Sequence, residues 1–255
     1  MTNDKTLPRA ALITGAARRI GRAIALALAH ERYAVVLHAN HSRAEAEKLA
    51  GEIQSAGGRA RVVLADLAEP DAVAKLVPAS SSFAPLTLLV NNASLFEEDD
   101  IATLERGRFE RTMTVNLTAP LLLAQVFATQ APVDADASII NIVDQRVLKP
   151  TPRFFSYGLS KSALAAATIT LAQALAPKLR VNAVAPGPTL PSPRQTEAQF
   201  AAQAALVPLG KGPTPEDIAA AVVYLAGARS VTGSVIAVDG GQHVAWNTPD
   251  SGGAE

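Results

Sequence analysis

Short, continuous apolar runs alternate along the chain with longer segments in which hydrophobic residues recur every three or four positions. Runs that are apolar on successive residues are typical of strands buried on both faces of a parallel sheet. We predict strands at Ala10–Thr14, Ala34–His38, Arg61–Ala65, Leu86–Asn91, Ser138–Val143, Arg180–Val184 and Ser234–Val238.

The segments between these runs have the periodicity of amphipathic helices. We predict helices at Ile20–Arg32, Arg43–Ala56, Asp71–Leu76, Leu104–Gln130, Ser156–Leu175 and Pro215–Ala226. The alternation predicts one α/β domain over residues 1–255, with a doubly wound fold. We expect a parallel sheet of about seven strands with helices on both faces. Residues 187–212 are rich in Pro, Gly, Ala and Gln and interrupt the pattern, so a substrate loop is expected there.

Composition narrows the class of protein. The chain has 255 residues, a formal net charge of zero and no cysteine. A neutral chain has no long-range attraction to nucleic acid or to an anionic membrane. The lack of cysteine excludes disulfides, thiol nucleophiles and Cys-ligated zinc. The N-terminus lacks the apolar core of a signal peptide, and no uninterrupted apolar run is long enough to span a bilayer. We expect a cytoplasmic protein without a metal that acts on a small molecule.

A glycine-containing turn follows the first predicted strand. Gly15 permits a sharp turn, and Gly21 permits the following helix to start close to the strand. The N–H groups at that helix start would face a cofactor pyrophosphate. An ordinary glycine turn is the alternative, but the strand-to-helix junction is the context that a dinucleotide site requires. The candidate cofactor contacts in the turn are Gly15, Arg18, Arg19, Ile20 and Gly21.

The end of the second predicted strand bears on the choice between NAD and NADP. An NAD site normally places Asp or Glu there to accept from the ribose hydroxyls. This chain has His38, His41 and Ser42 instead, and Arg18 adds a cation. These donors would surround a 2′-phosphate, so NADPH is preferred over NADH. The alternative is that the two histidines are only polar loop residues.

Other candidate cofactor contacts follow later strands. Asp66 could accept from the adenine amino group, or it could cap the next helix. Amide side chains after the fourth strand could fix that strand end beside the cofactor, and the segment after the sixth strand should run beside the nicotinamide. These candidates are Asp66, Leu67, Asn92, Ala93, Pro186 and Gly187.

Tyr157 and Lys161 are the candidate proton-transfer pair. Residues four apart on a helix share one face, so both side chains can point into one cleft. A phenol has a pKa of about 10, and a nearby ammonium would lower that pKa by stabilising phenolate. The lysine could also hold a cofactor ribose hydroxyl. The spacing alone is common, and a solvated helix face is the alternative.

Taken together, these motifs resemble the short-chain dehydrogenase/reductase family over essentially the whole chain. The resembling segments, in the order of the family, are Thr14–Gly21, Asp66, Asn91–Ala93, Asn116, Ile139–Val143, Tyr157–Lys161, Pro186–Gly187 and Thr232–Gly241. The resemblance implies a single-domain Rossmann-type fold, NAD(P), hydride transfer coupled to a tyrosine proton, and a homotetramer. It also implies that Asn116 supports Lys161 through a water.

Two departures from the family pattern resemble its pteridine reductase branch. Arg19 stands where most members have a third glycine, and Asp144 stands where they have Ser, thirteen residues before Tyr157. The resemblance implies that Phe96 stacks on a pterin and that Ser94 bonds the pterin or the cofactor. It also implies that Arg19 reaches a cofactor phosphate and the pterin.

The chemistry of Asp144 agrees with this branch. A ketone reductase needs a neutral hydroxyl to hold the carbonyl oxygen, which a carboxylate would repel. Reduction of a C=N bond instead needs a proton on nitrogen, and Asp144 could supply it with help from Tyr157 or water. A structural carboxylate bonded to nearby backbone is the alternative. The candidate catalytic set is Asn116, Asp144, Tyr157 and Lys161, and the candidate substrate set is Arg19, Ser94, Phe96, Asp144 and Tyr157.

These observations predict NADPH-dependent reduction of the C=N bond in a pterin-like ring, such as a dihydropterin or dihydrofolate. A short-chain reductase of a ketone or 3-oxoacyl thioester is the first alternative, and Asp144 and Arg19 argue against it. A non-catalytic NADP-binding regulator is the second. The intact set of Asn116, Tyr157 and Lys161 argues against a regulator, because a sensor needs no proton relay.

Overall fold

A computed structural model describes residues 9–246, so the N-terminal segment that bears on the signal-peptide expectation lies almost wholly outside it. Its sheet has seven parallel strands in the order β3-β2-β1-β4-β5-β6-β7. The predicted strands are all confirmed to within two residues. They are β1 Ala10–Ile13, β2 Ala34–Ala39, β3 Ala60–Leu64, β4 Leu86–Asn91, β5 Ala137–Ile142, β6 Leu179–Pro186 and β7 Val235–Val238.

The helices cover both faces of this sheet, as the sequence predicted. Helices α1, α2 and α8 share one core cluster with the sheet, and α3, α5 and α6 share the other. Helix α3 extends beyond its predicted end. The described helices are α1 Arg19–His30, α2 Arg43–Ser55, α3 Pro70–Ser81, α4 Arg106–Met113, α5 Ala119–Gln130, α6 Phe155–Leu175, α7 Glu197–Ala205 and α8 Pro215–Gly227.

Helices α4 and α5 join through a π-helical turn, Thr114–Thr118, in the region predicted as one helix from Leu104. The joined stretch Arg106–Gln130 is long and apolar enough to pass for a membrane span, with a mean hydropathy of 1.2. This stretch is not an uninterrupted apolar run, since Arg108, Glu110 and Asn116 lie within it, so the expectation drawn from the sequence stays a prediction. Its apolar residues include Leu123 and Phe127, which are fully buried in the core beneath the sheet.

Helix α7 lies within residues 187–212, which were expected to form only a loop. A capping box starts it: Gln199 N donates to Thr196 Oγ1 at 3.2 Å, and Thr196 N donates to Gln199 Oε1 at 2.9 Å. No residue of α7 is buried, and Phe200 is only half-buried. The helix thus lacks the apolar face on which periodicity depends, which explains why the pattern missed it.

The strand order reverses between β1 and β4, which lie side by side with Ile13 opposite Val90. In doubly wound sheets this reversal opens a crevice at the carboxyl ends of the strands, where ligands bind. The fold therefore brings together the segments that follow β1, β4, β5 and β6.

Candidate active site

A cavity of about 830 Å³ opens at this crevice. Its size suits a small-molecule or cofactor site. The glycine turn, the segments after the strands, the start of α6 and the loop after β6 line it. The predicted site residues that it brings together are Gly15, Arg18, Arg19, Ile20, Gly21, Asn92, Ala93, Ser94, Phe96, Asp144, Tyr157, Lys161, Pro186 and Gly187.

The glycine turn leaves no room for side chains at its two glycines. Gly15 has a φ of +63°, and a Cβ at Gly21 would lie 2.2 Å from the Gly15 carbonyl oxygen. Across the cavity, a Cβ at Gly187 would lie 2.6 Å from Asp239 Cα. Bare backbone therefore faces the crevice from both sides, as close approach to a dinucleotide requires.

Thr14 and Asn92 tie together the ends of β1 and β4. Thr14 Oγ1 accepts from the backbone N–H of Asn92 at 2.9 Å and of Ala93 at 3.0 Å. Asn92 Nδ2 donates to the carbonyl oxygens of Thr14 at 2.8 Å and Gly15 at 3.1 Å. The amide thus fixes the strand end, in the role that the sequence predicted for it.

His38 supports the glycine turn from the interior of the protein and does not face the cavity. Its ring is buried, its Nδ1 accepts from Gly15 N at 3.2 Å, and its Nε2 lies 3.0 Å from the Ala65 carbonyl oxygen. Burial lowers its pKa, an effect partly opposed by the contact with Ala65. The prediction of a direct cofactor contact is wrong for His38, because both ring nitrogens are already engaged.

Arg19 begins α1 with a φ of +55°, which explains why a glycine usually occupies this position. Its guanidinium donates to the carbonyl oxygens of Pro191 at 2.9 Å and Leu190 at 3.3 Å. Partial burial and the charge of Arg18 lower its pKa, so a bound anion would be favourable here. Arg18 is exposed and lies 3.6 Å from Glu45.

The other predicted cofactor contacts follow β2 and β3. Over residues 9–246, His41, Ser42, Asp66 and Leu67 are not part of the cavity lining. Asp66 Oδ1 accepts from Ala68 N at 2.9 Å, so it forms a local turn and does not cap α3. Contacts of these residues with a cofactor stay predictions.

Asp144 joins Tyr157 to an arginine that the sequence motifs did not indicate. Tyr157 Oη donates to Asp144 Oδ2 at 2.9 Å, and Arg146 Nη1 lies 3.2 Å from both carboxylate oxygens. Asp144 Oδ1 also accepts from Arg146 N at 2.8 Å, which caps a single 3-10 turn, Gln145–Val147. Asp144 therefore fills the structural role weighed above and also faces the cavity. No motif or periodicity marked Arg146.

Tyr157 is held as a neutral phenol. Burial, followed by the charge and hydrogen bond of Asp144, raises its pKa well above the usual value. The expectation that the pKa of Tyr157 would lie below its usual value is therefore wrong, because burial and Asp144 determine the net shift. Lys161 Nζ lies 5.8 Å from the centre of the Tyr157 ring and donates to the Ile142 carbonyl oxygen at 2.8 Å. Burial lowers the pKa of Lys161 to about 8, and Asp144 opposes that shift.

Asn116 lies in the π-helical turn and is fully buried. Its Oδ1 accepts from Leu95 N at 2.8 Å, and its Nδ2 donates to Leu95 O and to Ser160 Oγ, both at 3.0 Å. It thereby joins the segment after β4, where Ser94 lines the cavity, to the residue before Lys161. Its link to the lysine through a water stays a prediction.

Two stacked phenylalanine rings lie beside Tyr157, and one of them, Phe96, lines the cavity. The rings of Phe96 and Phe154 are parallel with centroids 4.3 Å apart, and Phe96 meets Tyr157 edge-on at 4.7 Å. The guanidinium carbons of Arg146 and Arg194 lie between 5.2 and 5.6 Å from both phenylalanine rings. Arg194 is a second residue that the sequence did not reveal, because its segment has no regular pattern.

The fold and this site define a class of protein, the short-chain oxidoreductases. A family model described as Enoyl-(Acyl carrier protein) reductase matches residues 15–243. A short-chain type dehydrogenase/reductase of Picea abies is 35% identical over 254 residues and covers 92% of each chain. A 3-oxoacyl-[acyl-carrier-protein] reductase of Synechocystis is 30% identical over 236 residues, covering 91% of this chain and 95% of the relative. The chain belongs to the short-chain dehydrogenase/reductase family.

A solved structure is similar over nearly the full length. The FolM alternative dihydrofolate reductase 1 from Brucella canis, complexed with NADP, has a TM-score of 0.92 and 48% identity. The match covers 96% of this chain and 97% of that one. This likeness confirms the predicted fold and the resemblance to the pteridine reductase branch, and the NADP in that structure agrees with the predicted cofactor.

Proposed function

We propose that this protein is an NADPH-dependent reductase of the C=N bond of a dihydropterin ring, a class that includes dihydrofolate. The main observation that supports this proposal is the hydrogen bond from Tyr157 to Asp144. It joins a proton donor to a carboxylate that faces the cavity, where most family members have a hydroxyl. The dihydrofolate reductase named above supports the same class of substrate.

The described residues fit the cofactor. The N–H groups of the glycine turn, with Arg18 and Arg19, would hold its phosphates. Lys161 would hold a ribose hydroxyl, and the backbone of Pro186 and Gly187 would lie beside the nicotinamide. When bound, NADPH supplies the hydride.

The protein's part is to supply the proton. Hydride addition to the carbon of a C=N bond requires one proton on the nitrogen. In this proposal the proton leaves the Tyr157 hydroxyl along the hydrogen bond to Asp144 and passes from there to the ring nitrogen. The ammonium of Lys161 stabilises the phenolate that remains until solvent returns a proton, and Arg146 holds Asp144 in place through two 3.2 Å contacts.

Phe96 supports the choice of a flat ring system. It is 36% exposed, lines the cavity and lies directly against Tyr157. A planar bicycle that packs on this ring gains about 0.5–1.5 kcal/mol beyond simple burial. The wall of the cavity beside the proton donor is thus suited to a pterin.

A 3-oxoacyl thioester is the second candidate substrate, and the relative from Synechocystis favours it. The contacts of Asp144 argue against it. A carbonyl oxygen placed within reach of Tyr157 would also meet the Asp144 carboxylate, which repels it. We therefore rank this substrate second.

The test is a comparison of substrates by NADPH absorbance. The purified protein is assayed with a dihydropterin, dihydrofolate and a 3-oxoacyl thioester, each with NADPH and with NADH. We expect turnover of the dihydropterins with NADPH, and its loss in Asp144→Ser. Asp134→Ser, which removes an exposed carboxylate between α5 and β5, is the matched control. No turnover of either dihydropterin, or turnover of the thioester that Asp144→Ser improves, would overturn the proposal.

A further inference from the structure

The charged side chains that line the cavity are unevenly balanced. Five are cations and one is an anion: Arg18, Arg19, Arg146, Lys161, Arg194 and Asp144. The two arginines of the glycine turn and the lysine lie where the proposed cofactor binds. Arg146 neutralises Asp144. One positive charge, that of Arg194, is then left over at the substrate end of the cavity.

Arg194 is positioned by contacts that leave its charge uncompensated. Its Nη2 donates to the Phe96 carbonyl oxygen at 3.1 Å, and its guanidinium carbon lies 5.5 Å from the Phe96 ring and 5.4 Å from the Phe154 ring. Across residues 9–246, no carboxylate lies within 4.0 Å of it. Most of its N–H donors are therefore available to an anion in the cavity.

The contacts of Phe96 show where the charge of Arg194 lies with respect to Tyr157 and Asp144. The same ring contacts Tyr157 on one side of the site and Arg194 on another. A bicycle that packs against Phe96, with its reacting bond at Tyr157 and Asp144, has Arg194 within reach of its substituent. A guanidinium offers paired donors that match a carboxylate.

We infer that Arg194 binds an anionic group on the substrate's side chain, so that the preferred substrate is a dihydropterin with a carboxylate-bearing tail, as in dihydrofolate. This inference rests on the proposed function and makes it more specific. It assigns Arg194 as a specificity-determining residue, whereas Asp144 and Tyr157 act on the ring that all dihydropterins share.

The test compares dihydrofolate with dihydrobiopterin, whose side chain is neutral, at saturating NADPH. The measured quantity is kcat/KM for dihydrofolate divided by kcat/KM for dihydrobiopterin. A disturbance of Phe96 would affect both values, so its effect cancels in the ratio. We expect Arg194→Gln to lower this ratio about five- to tenfold, mainly through the KM for dihydrofolate. Arg194→Lys should recover part of the loss. Added salt should raise the KM for dihydrofolate more than that for dihydrobiopterin in the unmodified protein but not in Arg194→Gln.

Arg106→Gln is the matched control, since Arg106 is an exposed arginine on α4 that pairs with Glu110 away from the cavity. It should leave the ratio unchanged. An unchanged ratio in Arg194→Gln, with both substrates still reduced, would overturn the assignment of Arg194 but not the proposed function. If the unmodified protein reduces neither substrate, the proposed function itself fails.

Discussion

The hydroxyl of Tyr157 donates to Asp144 Oδ2 at 2.9 Å, and this contact helps to raise the pKa of the tyrosine. The usual expectation for such a site is a tyrosine whose pKa a lysine lowers. Here the pKa of the phenol is raised instead, so the hydroxyl stays protonated at neutral pH. In the proposed function this pair is the proton source for the reduction.

Removal of this proton source should stop the reaction without unfolding the protein. We expect Tyr157→Phe to lower kcat by about a hundred- to ten-thousandfold, the usual size of a general acid contribution. The ring contact with Phe96 would remain, so the melting temperature should change little. Steady-state kinetics and thermal unfolding check both points. Loss of less than tenfold in kcat would contradict the role of Tyr157.

The pH dependence of kcat/KM should reflect the protonation state of Lys161. Because burial lowers its pKa to about 8, its positive charge is complete below that pH and is lost above it. We expect kcat/KM to fall with an apparent pKa near this value as the pH rises, since the uncharged lysine no longer stabilises phenolate. Lys161→Arg keeps a charge over the whole range, so its remaining activity should lack the fall. A profile for the unmodified protein that stays flat to about pH 10 would contradict the prediction.

His38 should make folding stability sensitive to acid. Burial lowers its pKa in the folded state from 6.5, so below that pH the unfolded chain binds a proton that the folded protein does not. Its contribution to stability is complete above pH 6.5 and declines as the pH falls. We expect the free energy of unfolding from urea titrations to depend less on pH in His38→Asn.

His30→Asn is the control for that experiment, because His30 lies on α1 with its side chain 90% exposed. It should retain the acid sensitivity of the unmodified protein. Equal pH dependence in His38→Asn and His30→Asn would show that protonation of His38 is not coupled to folding.

The left-handed backbone of Arg19 should have a measurable cost in stability. Arg19→Gly and Arg19→Ala both lose the contacts with Leu190 and Pro191, but only glycine adopts a φ of +55° without strain. We expect the glycine variant to be more stable than the alanine variant by about 1 kcal/mol. Both should bind NADPH more weakly. Chemical denaturation and NADPH titration give the two quantities, and equal stabilities would contradict the strain.

Much of the fold follows from the pattern of apolar residues along the chain. Buried parallel strands are continuous apolar runs, so all seven were found. Helix α7 was missed because none of its residues is buried, so its sequence shows no apolar periodicity. Its capping box, Thr196 with Gln199, was the available signal and shows only in the spacing of polar residues.

The site was predicted wherever a motif links a residue type to its position. Asp144, Tyr157 and Gly21 lie where the motifs indicated. Arg146 and Arg194 were not found, since an arginine's long side chain reaches the cavity from positions that no spacing marks. His38 was found for the wrong role, because the sequence does not show whether a polar residue at a strand end points towards a ligand or into the core.

Arg19 connects two segments that are far apart in the chain, the glycine turn and the start of residues 187–212. A cofactor phosphate bound at the turn would share the donors of one guanidinium with the carbonyl groups of Leu190 and Pro191. Cofactor binding and the position of the loop would therefore be thermodynamically coupled through Arg19. If bound cofactor changes the affinity of the loop for a substrate by some factor, thermodynamic reciprocity requires that bound substrate changes the affinity for cofactor by the same factor.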